Sequence, residues 1–69
     1  MSDHVYKKIE LTGSSEESSD QAVRNAIAKA SKTIKNMDWF EVIESRGEIK
    51  DGKIAFWQVT IKLGFRLEV

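Results

Sequence analysis

Cysteine and proline are both missing from this chain, and histidine occurs once, as His4. Without cysteine no disulfide framework can form, and one histidine cannot complete a cysteine-histidine zinc site. Glycine is scarce: Gly13, Gly47, Gly52 and Gly64 are scattered, so no glycine-rich phosphate loop can be assembled. Long apolar runs are also lacking. No stretch approaches the roughly 20 residues that span a bilayer, and Met1-Ser2-Asp3-His4 is polar, so the expectation is a soluble, cytoplasmic protein with no membrane partner. Charge of one sign is absent too, since eleven Lys plus Arg balance eleven Asp plus Glu. That balance leaves no electrostatic footprint for a phosphate backbone, which excludes nucleic acid as a main partner.

What remains is 69 residues, 41% hydrophobic and 32% charged, the composition of one ordered domain spanning 1–69. At that size a folded monomer buries only about 60% of the surface its unfolded chain exposes. The usual aids are disulfides, a structural metal or self-association. Only self-association is left, so a homo-oligomer is expected.

From His4 to Leu11 the residues alternate, with Val5, Ile9 and Leu11 on one parity and Tyr6, Lys8 and Glu10 on the other, as in a half-exposed strand. Thr12-Gly13-Ser14-Ser15 reads as a turn, and both Ser14-x-x-Glu17 and Ser18-x-x-Gln21 read as helix-capping boxes, Ser18 being preferred because the apolar pattern starts just after it. Ala22, Val23, Ala26, Ile27, Ala30, Ile34 and Met37 then form one apolar stripe, giving an amphipathic helix that ends near Asn36. Trp39 to Ile49 and Ile54 to Glu68 are rich in β-branched and aromatic residues, and Asp51-Gly52 between them has type I′ turn chemistry. An unbroken register sets Ile49 opposite Ile54, Ser45 opposite Gln58, Glu41 opposite Lys62 and Trp39 opposite Gly64.

That register sorts the faces. Ala55, Trp57, Val59, Ile61, Leu63, Phe65 and Leu67, matched by Phe40 and Val42, form the row that receives the helix. The other face carries Trp39, Glu41, Ile43, Ser45, Ile54, Phe56, Gln58, Thr60, Lys62, Gly64 and Arg66, too many large apolar groups for a purely solvated surface. It is expected to meet other subunits or a ligand.

Catalysis needs a nucleophile poised on a base, a carboxylate pair in a cleft, or a metal. None is legible, and His4 reads as an exposed or packing side chain, so the chain is not expected to be an enzyme. Trp39 stands out because it lies opposite Gly64, where a missing side chain leaves space beside a flat indole. Two readings fit it, a stacking platform and an oligomer-interface aromatic. Gln58, on the same face, offers one acceptor and two donors to a planar heterocycle. Trp57 has the parity of a core or subunit contact.

The segments Val5-Tyr6-Lys7-Lys8-Ile9-Glu10-Leu11-Thr12-Gly13-Ser14-Ser15, Asp38-Trp39-Phe40-Glu41-Val42, Trp57-Gln58-Val59 and Gly64-Phe65-Arg66-Leu67 resemble the bacterial dodecins, in that family's order and spacing. The resemblance implies an α+β fold, β-α-β-β, with a curved three-stranded antiparallel sheet wrapped around one amphipathic helix, and twelve copies in a hollow shell. It implies flavin storage and sequestration, with FMN or a relative such as riboflavin, FAD or lumichrome held in pairs between tryptophans. In that reading Trp39 stacks on the isoalloxazine ring and Gln58 bonds its pyrimidine edge. Arg46 and Arg66 match arginines suited to the phosphate of FMN or to coenzyme A at a separate site. Arg46 has the wrong parity for the ligand face in an unbroken register, so either a bulge near Arg46-Gly47 turns it or it serves another contact.

Strand arithmetic adds a constraint. Gln58 is six residues along the last strand from Gly64, the partner of Trp39, so Trp39 and Gln58 stand roughly 20 Å apart at about 3.3 Å per residue. One ring cannot touch both within a chain, and a site using both must lie between subunits. The alternative is a structural or interaction oligomer that binds another ligand, such as coenzyme A.

Overall fold

Asp51 and Gly52 adopt φ of 53° and 74°, the left-handed backbone that both central residues of a type I′ turn require. In the computed structural model, which describes residues 3–68, this turn joins two antiparallel strands of 14 residues each, Met37–Lys50 and Lys53–Arg66. Preceding them are a strand, Tyr6–Ser15, and a helix, Ser19–Ala30. In chain order the elements are β1, α1, β2 and β3, the expected β-α-β-β unit, and the sheet order is β1-β3-β2. The last strand is therefore central. Residues 1, 2 and 69 of the expected domain lie outside the described residues.

Strand β1 runs further than its alternation suggests. Thr12, Gly13, Ser14 and Ser15, read above as a turn, pair with Thr60, Val59, Gln58 and Trp57. Gly13 serves close packing instead. A Cβ there would overlap the Ala22 carbonyl oxygen and lie 2.9 Å from the Ala26 Cβ, so the bare backbone lets α1 settle onto the strand. Ser18 caps the helix as expected, its hydroxyl accepting from the Gln21 N–H at 3.0 Å. The helix stops at Ala30, six residues before the expected end. Ser31 Oγ donates to the Ala28 carbonyl at 2.7 Å, and the N–H groups of Lys32 and Thr33 turn to carbonyls three residues back. Asn36 then reverses the chain with φ of 64°.

The core is small. Ala22 and Ala26 pack on Val59 and Ile61, with Leu11, Val23 and Ile27 around them. Ala30 and Leu63 are also buried. The helix lies on β1 and β3, so the expectation that Phe40 and Val42 of β2 complete its seat does not hold. They remain 46% and 53% exposed and line, with Val23 and Ile27, a groove of about 420 Å³ beside the helix. The shape is extended, at 56 × 20 × 13 Å with a radius of gyration of 14.4 Å. A compact chain of this length would have about 11 Å. The accessible surface of 5345 Å² likewise exceeds the roughly 4,400 Å² of a compact 7.9 kDa monomer. The hairpin is an arm that reaches beyond the core. No described helix is long and apolar enough to cross a membrane.

The hairpin register holds at both ends and shifts between them. Lys50–Lys53, Ile49–Ile54, Glu41–Lys62 and Trp39–Gly64 pair as expected. Between Ile49 and Glu48 the β3 strand carries an extra residue, Ala55, and between Val42 and Glu44 the β2 strand carries one, Ile43. The two bulges cancel, and Asp38 makes a third. In the interval Arg46 faces Gln58, and Ser45 faces Val59 on the helix side rather than Gln58. The unbroken register missed this because each bulge hides the other.

Gly13→Ala is expected to destabilise the fold by roughly 1–3 kcal/mol through overpacking. Urea unfolding checks it, and an unchanged midpoint contradicts the close approach of α1 to β1.

Candidate functional site

Cross-strand partners share a sheet face, which places the residues singled out above. Opposite the helix, β2 presents Trp39, Glu41, Glu44, Arg46 and Glu48. The central strand presents Phe56, Gln58, Thr60, Lys62, Gly64 and Arg66, and β1 presents Tyr6, Lys8, Glu10, Thr12 and Ser14. All four expected site residues, Trp39, Arg46, Gln58 and Arg66, lie on this face. They divide into two groups.

The first group surrounds Gly64. A Cβ at Gly64 would overlap Cε2 and Cζ2 of Trp39 and lie 2.6 Å from Cη2, so the six-membered ring of the indole rests on bare backbone. The open space expected beside the indole is filled by the indole itself. Trp39 remains 39% exposed. Tyr6 meets it edge-on, with ring centroids 5.2 Å apart and planes at 64°. Arg66 is paired with Tyr6, two residues beyond Gly64 on the same face, and makes no ion pair among the described residues.

The second group is Arg46 with Gln58. The bulge at Ala55 gives Arg46 the parity of this face, so the first of the two readings of Arg46 describes its geometry. The Arg46 Nε–H donates to Gln58 Oε1 at 3.2 Å. That bond uses one of the two lone pairs of the amide oxygen, and the Gln58 NH2 group remains as the side chain's donor. Gln58 lies six positions from Gly64 along β3, which keeps the groups roughly 20 Å apart.

Between them run polar ladders. Thr12 and Thr60 share a hydroxyl hydrogen bond of 2.8 Å. Glu41 is in register with Lys62, yet its ion pair is with Lys8 of β1, Nζ to Oε1 at 2.8 Å. That hydrogen bond and the Lys8 charge hold the Glu41 carboxyl below its ordinary range, against a smaller opposing effect of desolvation, with the Lys62 charge adding least. Sequence reasoning missed the Tyr6–Trp39 and Lys8–Glu41 contacts because nothing in the chain announces that β1 lies beside β3. Among the described residues no three His, Cys, Asp or Glu side chains cluster to hold a metal ion.

Comparison with known proteins adds to this geometry. Residues 5–68 match the family model described as Dodecin. The chain is 50% identical over 64 residues to the dodecin of Thermus thermophilus, covering 93% of each protein. The solved structure of dodecin from Streptomyces coelicolor is 55% identical and superposes with a TM-score of 0.95, over 100% of this chain and 99% of that one. A more distant match is the calcium dodecin of Mycobacterium tuberculosis, described as calcium-chelating, at 28% identity and a TM-score of 0.80, over 93% and 91% of the two chains.

A depressed folded-state pKa contributes stability above the unfolded value and loses it as pH falls through the folded one. Glu41 is therefore expected to titrate below 4.5 in the folded protein. Its midpoint should move back toward that value in Lys8→Met, as followed by carboxyl-carbon NMR. A midpoint indifferent to Lys8→Met contradicts the ion pair in solution.

Proposed function

Because the chain belongs to the dodecin family, we propose that it stores and sequesters flavin, binding FMN or a relative (riboflavin, FAD, lumichrome) between copies of itself, without net chemistry. The observation that carries this reading is the division of one sheet face into two half-sites. Trp39 offers an apolar, partly exposed ring face, and Gln58 offers amide donors to the carbonyls of a planar heterocycle. Standing roughly 20 Å apart, they serve one ligand only when two subunits meet. Arg66 beside the indole and Arg46 beside the amide supply positive charge for the phosphate of FMN, or for coenzyme A at a separate site. The residues present fit a flavin. When bound, the flavin supplies a redox-active, light-absorbing ring; the indole stacks on it and quenches its excited state.

The exposed apolar groups support assembly. Phe40, Val42 and Ile43 lie along β2, and Ile49 and Ile54 near the hairpin tip, all uncovered in the single chain. An extended subunit with a small core gains stability by covering them. The dodecamer is the assembly that family membership favours, in the cytoplasm.

Titration with FMN is expected to quench flavin fluorescence, and the flavin absorbance should co-elute with a particle much larger than 7.9 kDa. Trp39→Ala should weaken binding by about 1–3 kcal/mol, the range of base–aromatic stacking. Gln58→Ala should cost about 0.5–1.5 kcal/mol, the range for one hydrogen bond. A large particle that leaves FMN fluorescence unchanged removes the flavin reading and favours an assembly that binds another ligand. A monomer at micromolar concentration removes the intersubunit site.

A further inference from the structure

Resting on the flavin reading above, we infer that Tyr6 is a positioning residue for the stacking surface: its ring packs against the Trp39 indole, holds it over Gly64 and so fixes the face that a planar heterocycle meets. Tyr6 belongs to β1 and Trp39 to β2, with β3 between them. Their backbones are two strand spacings apart across the sheet and two residues apart along it, roughly 12 Å in all, yet their ring centroids are 5.2 Å apart. A side chain on the central strand would ordinarily stand in that gap. At Gly64 there is none, so the indole leans inward over the bare Cα and the tyrosine meets it there. The angle of 64° is that of an edge-to-face pair, the arrangement aromatic quadrupoles favour.

The contact matters because Gly64 supports only one side of the indole. An indole 39% exposed could swing outward about its first side-chain torsion, and the ring of Tyr6 lies beside it. Tyr6 is itself flanked by His4, whose ring stands edge-on with centroids 6.3 Å apart and planes at 71°. The three rings form a row from the start of β1 to the indole. Holding the ring in place before the ligand arrives removes part of the ordering cost of binding.

The test is a double-mutant cycle read by FMN fluorescence titration. Tyr6→Ala is expected to weaken FMN binding roughly threefold to tenfold, the range of an aromatic pair, while Tyr6→Phe, which keeps the ring, binds within about twofold of the original chain. In a Trp39→Ala background Tyr6→Ala should have no further effect, because its action runs through the indole. An equal loss in both backgrounds, or none in the original, overturns the inference. A second measurement reads the indole without flavin. In a Trp57→Phe chain only Trp39 fluoresces as a tryptophan, and Tyr6→Ala should shift its emission to the red while Tyr6→Phe does not. Unchanged emission overturns the positioning role. Should the original chain bind no FMN, the flavin reading falls, and the emission of Trp39 alone decides the role of Tyr6.

Discussion

The bare Cα of Gly64 is the constraint on which the sheet face turned away from the helix depends. A central strand normally keeps its two neighbours from touching across the sheet, since its own side chains stand between theirs. At Gly64 this barrier is gone. The indole of Trp39 lies down in the gap, Tyr6 reaches it from the far strand, and Lys8, in register with Gly64, joins Glu41 by an ion pair. One missing side chain thus couples β1 to β2 through two contacts of different chemistry and leaves the indole partly exposed. Gly13 plays the corresponding part on the opposite face, where its bare Cα admits the helix. One glycine lets the helix close on the sheet; the other shapes the surface turned away from it.

Much of this was legible in the chain. The Asp51-Gly52 turn, the Ser18 cap and the pairing of Trp39 with Gly64 follow from local chemistry, and the structure has all three. The errors share a cause, which is that local pattern says little about what lies alongside. Thr12 to Ser15 look like a turn because they are small and polar, but pairing with β3 holds them extended. The apolar stripe runs past Ala30, yet Ser31 and Asn36 end the helix before it is used up. The register of Arg46 was open because an extra residue at Ala55 and another at Ile43 leave both ends of the hairpin in step. Only a view of the middle reveals that Arg46, not Ser45, faces Gln58.

Size and function meet in the same extended shape. A chain with so small a core does not bury its hairpin, and the residues left uncovered on β2 are those that another copy can cover. The Trp39 and Gln58 groups lie at separate stations along that arm, the aromatic one near its base and the amide one nearer its tip. Assembly would then complete the fold's stability and its binding site in one event. Ligand affinity and subunit association are linked in such an arrangement, so each raises the other.

The placement of β2 at the edge of the sheet has its own consequence. A 14-residue edge offers a row of unpaired backbone groups to any extended chain nearby, and such edges seed uncontrolled β-stacking. Here the edge is broken by bulges at Asp38 and Ile43, and Glu44, Arg46 and Glu48 place charge along the stretch that follows. A foreign strand cannot lie straight against it for more than a few residues. The irregularities that conceal the hairpin's register are also the kind that blunt an edge against unwanted pairing.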